Sequence, residues 1–292
     1  MLRNFSPRSI DLMPRELKKN LPEVIAITSG KGGVGKSSIG VNLAILLSQM
    51  KRKVLLIDAD VHLGNVDLIM GIRAKYTIAD VVKDSIDISK ALIKAPGDFD
   101  ILPASSAVTE LFKMEDSMIY KLANAFSKIE YDYDIVLLDT GAGISHLVTS
   151  FIFGSDKVLL VVTPDPSSIA DAYAVIKVIK KTNSLMPVLM IANMVKSYDE
   201  GEILYKKMNL MVQKFLNCDI DFGGSLLKDE IISKSVQMQT PFVIKNPNSA
   251  ATKTLNLLKG KILKLPLIDV SKRNNFFSKF INGRNVSHEL NV

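Results

Sequence analysis

The chain has 292 residues, of which 47% are hydrophobic and 23% charged, a mixture typical of a globular protein with a large core. Cys218 is the only cysteine, which excludes an intramolecular disulfide and a cysteine-ligated iron–sulfur cluster. The net charge is +7, of which residues 1–23 carry +2 and residues 253–292 carry +6. The remaining body is therefore close to neutral, and this disfavours non-specific DNA binding.

The first twenty residues contain five basic side chains and no apolar core of the kind that a signal peptide has. No apolar run in the sequence reaches the length of a membrane span. We therefore expect a cytoplasmic protein in which residues 1–22 form an N-terminal extension, with one short helix at 14–19.

Short apolar runs alternate with segments of helical spacing from residue 24 to about residue 265. The predicted strands cover residues 24–29, 54–58, 99–102, 134–139, 157–163, 187–193 and 219–226. The predicted helices cover residues 36–50, 116–129, 167–182, 199–216 and 246–264. This alternation predicts an α/β fold, with a doubly wound, mostly parallel sheet and helices on both faces. We expect residues 23–265 to form this domain and residues 266–292 to form a linker and a tail.

The first predicted strand leads into the segment Gly-Lys-Gly-Gly-Val-Gly-Lys-Ser-Ser at residues 30–38. A glycine-rich loop between a buried strand and a helix directs backbone N–H groups at an anion, and this frame is typical of a phosphate-binding loop, or P-loop. We assign nucleotide contacts to Gly30, Lys31, Gly32, Gly33, Val34, Gly35, Lys36, Ser37 and Ser38. Lys36 is expected to neutralise phosphate charge and the Ser37 hydroxyl to bind Mg²⁺. Lys31 is an additional lysine that most such loops lack.

Two acidic residues follow other predicted strands, at the edge where the crevice of such a sheet opens. Asp139 ends the apolar run 135–139, which is the usual place of an acidic residue on the Mg²⁺ side, although such a residue can also cap a turn. Asp60 lies two residues beyond the strand 54–58, within reach of a γ-phosphate, and we assign it to catalysis and to the metal site. Asp58 is interpreted as structural or as part of the Mg²⁺ shell.

These residues together resemble the MinD/ParA family of P-loop ATPases. The stretches that carry the resemblance are Lys31-Gly-Gly-Val-Gly-Lys-Ser37, Asp58-Ala-Asp60, Gly64-Asn-Val-Asp-Leu68 and Asp139-Thr-Gly-Ala-Gly143. The resemblance spans about residues 23–260 and implies weak ATP hydrolysis with Mg²⁺ as cofactor. It also implies that ATP drives formation of a homodimer, in which Lys31 reaches the partner's phosphates. Asp60 matches the switch I aspartate that positions water, and Asp139 begins switch II.

The resemblance places further residues at the nucleotide, namely Gly143, Asn193 as the adenine-reading asparagine, and Asp229. Within the family the chain is most similar to the FlhG-type regulators of flagellar number and placement. The long segment before the first strand, Gly141 in switch II and the stretch Gln239–Ser249 support this branch. The implied partners are an FlhF-type GTPase and flagellar basal-body or regulatory proteins. The stretch Asp11–Leu17 departs from the motif with which many such proteins stimulate FlhF.

The C-terminal segment 272–284 places four large apolar side chains close together on a helix. Phe276, Phe277, Phe280 and Ile281 fall within an arc of about 140°, while Lys279 lies on the other side. This pattern, and its similarity to the MinD-type tail, favours an amphipathic membrane-targeting helix that binds anionic lipids at the inner face of the cell membrane. The alternative is a helix docked on its own domain, and both states are compatible if ATP releases the helix.

A metabolic kinase with the same loop remains open, although the sequence shows no motif for a second substrate, and two further functions use the same ATPase chemistry. One is a MinD-type selector of the cell-division site. The other is a ParA-type DNA-segregation ATPase, although no specific nucleic acid is expected because the body is near neutral and the tail is amphipathic. The leading prediction is a membrane-associated ATPase switch that regulates flagellar number or placement.

Overall fold

A computed structural model describes residues 21–60, 64–83, 86–103, 124–265 and Phe280. The strands in this part are β1 Glu23–Ser29, β2 Val54–Ala59, β3 Ile93–Ala95, β4 Phe99–Leu102, β5 Ile135–Ala142, β6 Lys157–Val162, β7 Val188–Val195 and β8 Asp221–Leu227. The α-helices are α1 Lys36–Ser48, α2 Val66–Met70, α3 Ile78–Val82, α4 Ile88–Ala91, α5 His146–Gly154, α6 Pro166–Thr182, α7 Tyr198–Leu216, α8 Glu230–Gln237, α9 Phe242–Lys245 and α10 Ala250–Lys264.

The strands form one sheet in the order β3-β4-β2-β5-β1-β6-β7-β8. All neighbouring pairs are parallel except β3 with β4. β1 therefore lies near the centre, between β5 and β6. Because parallel strands end at the same edge, the loops after β1, β2, β5 and β7 meet at one side of the sheet.

Helices cover both faces of the sheet, as the prediction of a doubly wound fold requires. One face packs against α1, α2, α9 and α10, and the other packs against α3 to α7. The central strands are continuous apolar runs because both of their faces are buried. The predicted fold class is confirmed.

Short elements account for the main differences from the predicted elements. The edge strand β3 has three residues and was not predicted. The same is true of α2 to α5, α8 and α9, which have four to nine residues each. The single helix predicted at 246–264 is wrong at its start, because Ser249 caps a helix that begins at Ala250. Pro247 lies in the turn before it, and the residue that precedes a proline is disfavoured in a helix.

A buried lysine joins the start of β1 to the end of α10. Lys157 opens β6 and is 1% exposed, and its Nζ lies 2.6 Å from Glu23 Oε1. The same ammonium group donates a 2.8 Å hydrogen bond to the carbonyl of Ile262 in the last turn of α10. This contact joins β1, β6 and α10 at the amino ends of the two strands, which lie at the opposite end of the sheet from the phosphate loop.

Several predictions lie outside the described residues. They include the N-terminal helix at 14–19, the first part of the helix at 116–129, and the tail residues Phe276, Phe277, Lys279 and Ile281. The domain boundaries at 22 and 265 stay predictions. In the described part of the chain, no helix has both the length and the apolarity that a bilayer crossing requires.

Candidate nucleotide-binding site

The loop between β1 and α1 has the geometry of a phosphate-binding loop. Gly35 adopts a left-handed conformation with a φ of 93°. A Cβ atom at this position would lie 2.6 Å from Asn193 Nδ2 at the end of β7. Glycine is therefore required here for both its backbone conformation and the close approach of β7. α1 begins directly afterwards, so its N-terminal N–H groups face the loop.

A cavity of about 450 Å³ opens above this loop. It brings together most of the predicted phosphate and metal residues, namely Gly32, Gly33, Gly35, Lys36, Ser37, Ser38 and Asp60. Gly30 instead packs against the backbone of α6, and Val34 is buried beneath the loop. The arrangement places a buried ammonium, two hydroxyls and a carboxylate around one space that is large enough for a triphosphate.

Asp139 lies beside this cavity at the end of β5. Its side chain is 1% exposed, and both carboxylate oxygens are buried without a satisfactory hydrogen bond. Burial raises the pKa of Asp139 to about 6, while the neighbouring Ser37 hydroxyl and Lys36 ammonium act in the opposite direction. An orphaned carboxylate next to a P-loop serine is suited to a cation, and the predicted metal residues Ser37 and Asp139 are thus brought together.

Asp58 lies beside Asp139, because the two residues are register partners in the adjacent strands β2 and β5. Burial, followed by the charge of Asp139, raises the pKa of Asp58 to about 7. Its two oxygens accept 3.2 Å hydrogen bonds from the backbone N–H groups of Asp60 and Val66. Asp58 thereby positions the loop that carries Asp60, which agrees with a structural role.

Lys31 lies at the rim of the loop and not inside it. Its Nζ is 3.0 Å from Asp165 Oδ1 and donates a 2.8 Å hydrogen bond to Ser167 Oγ. Hydrogen bonds from Ser167 and Thr163, and then from Lys31, lower the pKa of Asp165. The Lys31 side chain is 44% exposed, so it lies where a second molecule could contact it.

Asp165 and Ser167 were not predicted as part of this site. The order Asp-Pro-Ser-Ser after a strand indicates a helix cap, and Asp165 does cap α6 through the N–H of Ser168. The sequence carries no signal for the contact with Lys31, because 134 positions separate the two residues.

Three other residues that were predicted to contact the nucleotide contact other parts of the chain in the structure. Asn193 Nδ2 donates a 2.7 Å hydrogen bond to the carbonyl of Val34, so it braces the phosphate loop. Gly143 donates its N–H to the carbonyl of Ser29 at the end of β1. Asp229 caps α8 by accepting from the N–H of Ile231 and does not line the cavity. Their contacts with a nucleotide stay predictions.

Apolar residues to which the sequence analysis assigned no contact with the nucleotide form part of the cavity wall. Leu68 and Ile69 come from α2, and Val236 comes from α8. Both helices are short, and their apolar residues are too few to show a helical period, which is why no pattern indicated them. The fold and the loop together define a P-loop nucleoside triphosphatase.

Comparison with known proteins makes the class more specific. A family model described as an AAA domain matches residues 22–191. The antiactivator FleN of Pseudomonas aeruginosa is 37% identical over 245 residues, which cover 84% of this chain and 88% of FleN. The flagellum site-determining protein YlxH of Helicobacter pylori is 31% identical over 255 residues, which cover 84% and 83% of the two chains.

A solved structure gives the same result for the fold. The cell division ATPase MinD of Pyrococcus furiosus matches with a TM-score of 0.70 and 25% identity, over 84% of this chain and all of that one. The chain belongs to the MinD/ParA family of P-loop ATPases. ATP and Mg²⁺ fit the site, because the loop offers N–H donors and Lys36 to phosphates, and Ser37 and Asp139 offer oxygens to the metal.

The raised pKa of Asp139 predicts how stability depends on pH. The folded-state pKa of about 6 exceeds the unfolded value of 3.8, so folding is penalised as the pH rises through this window. Without nucleotide, Asp139→Asn is expected to raise the free energy of unfolding at pH 8 by roughly 2–3 kcal/mol. The gain should become small near pH 4 and vanish near pH 3, where the wild-type carboxyl is protonated in both states.

Urea denaturation of protein purified without nucleotide, at several pH values between these limits, measures the difference. The exposed carboxylate Asp199 provides a control, and Asp199→Asn should show no comparable change. An increase for Asp139→Asn of the same size at every pH would show that the buried charge is not its cause.

Proposed function

We propose that this chain is an ATP-binding and ATP-hydrolysing switch that dimerises with ATP, associates with the membrane and regulates flagellar number or placement. The similarity to FleN and YlxH over more than four-fifths of the chain supports the flagellar assignment. The proposed partners are a second copy of the chain, anionic lipids, an FlhF-type GTPase, and flagellar basal-body or regulatory proteins.

The position of Lys31 carries the dimer part of the proposal. A lysine that served only its own phosphates would be enclosed as Lys36 is, whereas Lys31 is held at the exposed rim by Asp165 and Ser167. An exposed ion pair is worth less than about 1 kcal/mol, so a triphosphate carried by a second subunit can compete for this ammonium. Binding of ATP then becomes a signal for association.

The chemistry of hydrolysis follows from the other residues of the site. Lys36 neutralises phosphate charge, and Ser37 and Asp139 hold the Mg²⁺ ion, which supplies further charge neutralisation when bound. Asp60 lines the same cavity and orients the attacking water. We expect slow turnover, because the partner's Lys31 is needed to complete the site.

The placement of Phe280 supports a tail that is docked in one state and released in the other. Phe280 is 5% exposed, and its ring centroid lies 5.0 Å from that of Phe151 on α5. α5 follows the switch II segment 139–143 after two residues. A shift of this segment at the nucleotide would therefore move the surface on which Phe280 packs. Two released tails in one dimer would bind a membrane far more strongly than one.

The first prediction concerns dimerisation. Lys31→Ala should keep nucleotide affinity within about fivefold, because only an exposed contact is lost, but it should abolish ATP-dependent dimers. Light scattering on a sizing column with MgATP measures the mass, and Lys206→Ala, which removes an exposed lysine of α7, is the matched control. Persistence of the dimer in Lys31→Ala would count against a role in the partner's site.

The second prediction concerns the tail. A chain truncated after residue 270 should lose ATP-dependent sedimentation with anionic liposomes, because the apolar anchor is gone. Phe151→Ala should instead increase lipid binding without ATP, since it removes the ring against which Phe280 packs. Phe153→Ala, on the same helix but in a different cluster, is the control. Equal lipid binding by the truncated chain would exclude the anchor.

The third prediction concerns the cell. Deletion of the gene from its native host should change the number or position of flagella, counted by electron microscopy, and leave the septum in place. A gene copy carrying Lys36→Ala should fail to restore the normal pattern, whereas Lys206→Ala should restore it. Displaced septa with normal flagella would support the division-site function instead.

A further inference from the structure

A groove of about 440 Å³ lies at the far edge of the sheet, away from the nucleotide site. Its floor is the backbone of the edge strand β8 at Phe222–Ser225, and its walls are α7 and α10. β6 and β7 separate it from β1. None of its lining residues belongs to the nucleotide cavity.

The walls of the groove expose large apolar side chains. Leu257 on α10 is 70% exposed, and Tyr198 at the start of α7 is 50% exposed. Both contribute to the lining, so their exposed surfaces face the same space. An apolar residue at such a position loses contact with water only if another molecule covers it.

Gly260 leaves space in the groove on the side of α10, because glycine has no side chain. It lies inside the helix, where glycine is less favourable than alanine. A Cβ atom built at Gly260 would meet no atom of the described chain within 4 Å. Packing within the described chain therefore does not require glycine, and the vacant space is available to a bound side chain.

The floor of the groove is formed by the backbone of a strand at the edge of the sheet. Among the described residues β8 pairs with β7 alone, and the register shift between Met190 and Ile191 leaves Gly223 as an extra residue. Lys261 Nζ donates a 2.8 Å hydrogen bond to the carbonyl of Phe222. The Phe222 carbonyl thus accepts from a side chain of the chain's own helix α10, and a lysine at this edge also repels basic strands.

The charge at the groove selects the kind of partner. Lys261 and Lys264 on α10 line the groove together with Glu202 on α7, and Lys253 is exposed on α10 outside the lining. The terminal segments of this chain carry a net positive charge, so they do not complement the lysines of the groove. Residues 1–20 hold five basic and two acidic side chains, and residues 266–292 hold four basic and two acidic ones. A complementary occupant is acidic and comes from another protein.

We propose that this groove binds an extended, acidic segment of a partner protein that lies along β8. Its carboxylates would pair with Lys261 and Lys264, and its apolar side chains would cover Leu257 and fill the space above Gly260. Addition of a strand to a sheet edge, with side-chain pockets for specificity, is a common mode of peptide recognition. The surface is separate from the one on which ATP-dependent dimerisation depends.

A defined probe tests the proposal on the full-length protein. An octapeptide that alternates Glu with Leu and Val is expected to bind with a dissociation constant below about 1 mM, measured by fluorescence anisotropy. The same peptide with Lys in place of Glu should bind at least about tenfold more weakly. Hydrogen exchange at the amides of residues 222–225 should slow when the acidic peptide is present.

Two substitutions locate the binding site. Gly260→Leu fills the groove and should abolish binding, while thermal melting should show that the helix is as stable as before or more so. Leu257→Asp should weaken binding at least about tenfold, whereas Leu185→Asp, at a residue that is 77% exposed elsewhere, should have no effect.

The proposal is overturned if the acidic peptide fails to bind at about 1 mM, if the basic peptide binds equally well, or if Gly260→Leu leaves binding intact. Anionic liposomes provide the remaining comparison. If Lys261→Glu with Lys264→Glu abolishes lipid binding but leaves peptide binding unchanged, the lysines serve a membrane and the proposal is wrong.

Discussion

A pair of carboxylates buried at the ends of adjacent parallel strands constrains the rest of the structure. Asp58 and Asp139 face each other in β2 and β5, and burial raises the pKa of both. A buried charge without compensation costs several kcal/mol, so the surrounding loops must supply cations and donors. Lys36 and Ser37 of the phosphate loop offset only part of this cost at Asp139, whereas backbone N–H groups hydrogen-bond to both oxygens of Asp58. A bound cation and phosphate would therefore complete the charge balance at this end of the sheet.

The sequence predicted those parts of the fold in which local pattern and burial agree. The central strands are continuous apolar runs, and the glycine-rich loop between β1 and α1 has a fixed spacing, so both were found within a few residues. The edge strand β3 was missed because three residues show no period. The contact of Lys31 with Asp165 and the packing of Phe280 on Phe151 join distant segments, and no local pattern encodes such pairs.

Two elements connect the nucleotide site to other surfaces of the protein. α5 begins just after the segment 139–143 and carries Phe151, against which Phe280 packs. β7 ends in Asn193, which braces the phosphate loop, and its other neighbour is the edge strand β8 beside the groove. In both cases a single helix or strand, α5 or β7, connects the nucleotide site to the surface concerned. The fold thereby combines one chemical centre with two surfaces that differ in chemistry, one around Phe151 and one with the exposed lysines of α10.

The contact made by Lys157 has a mechanical consequence. It ties the first residue of β1 to the last turn of α10, from which the chain continues into the tail. β1 is also the strand that ends in the phosphate loop. In the proposed membrane-bound state, a load on the tail would reach β1 through this ammonium group. The part of such a load that acts along β1 would be resisted in shear by the hydrogen bonds of β1 to β5 and β6 acting together.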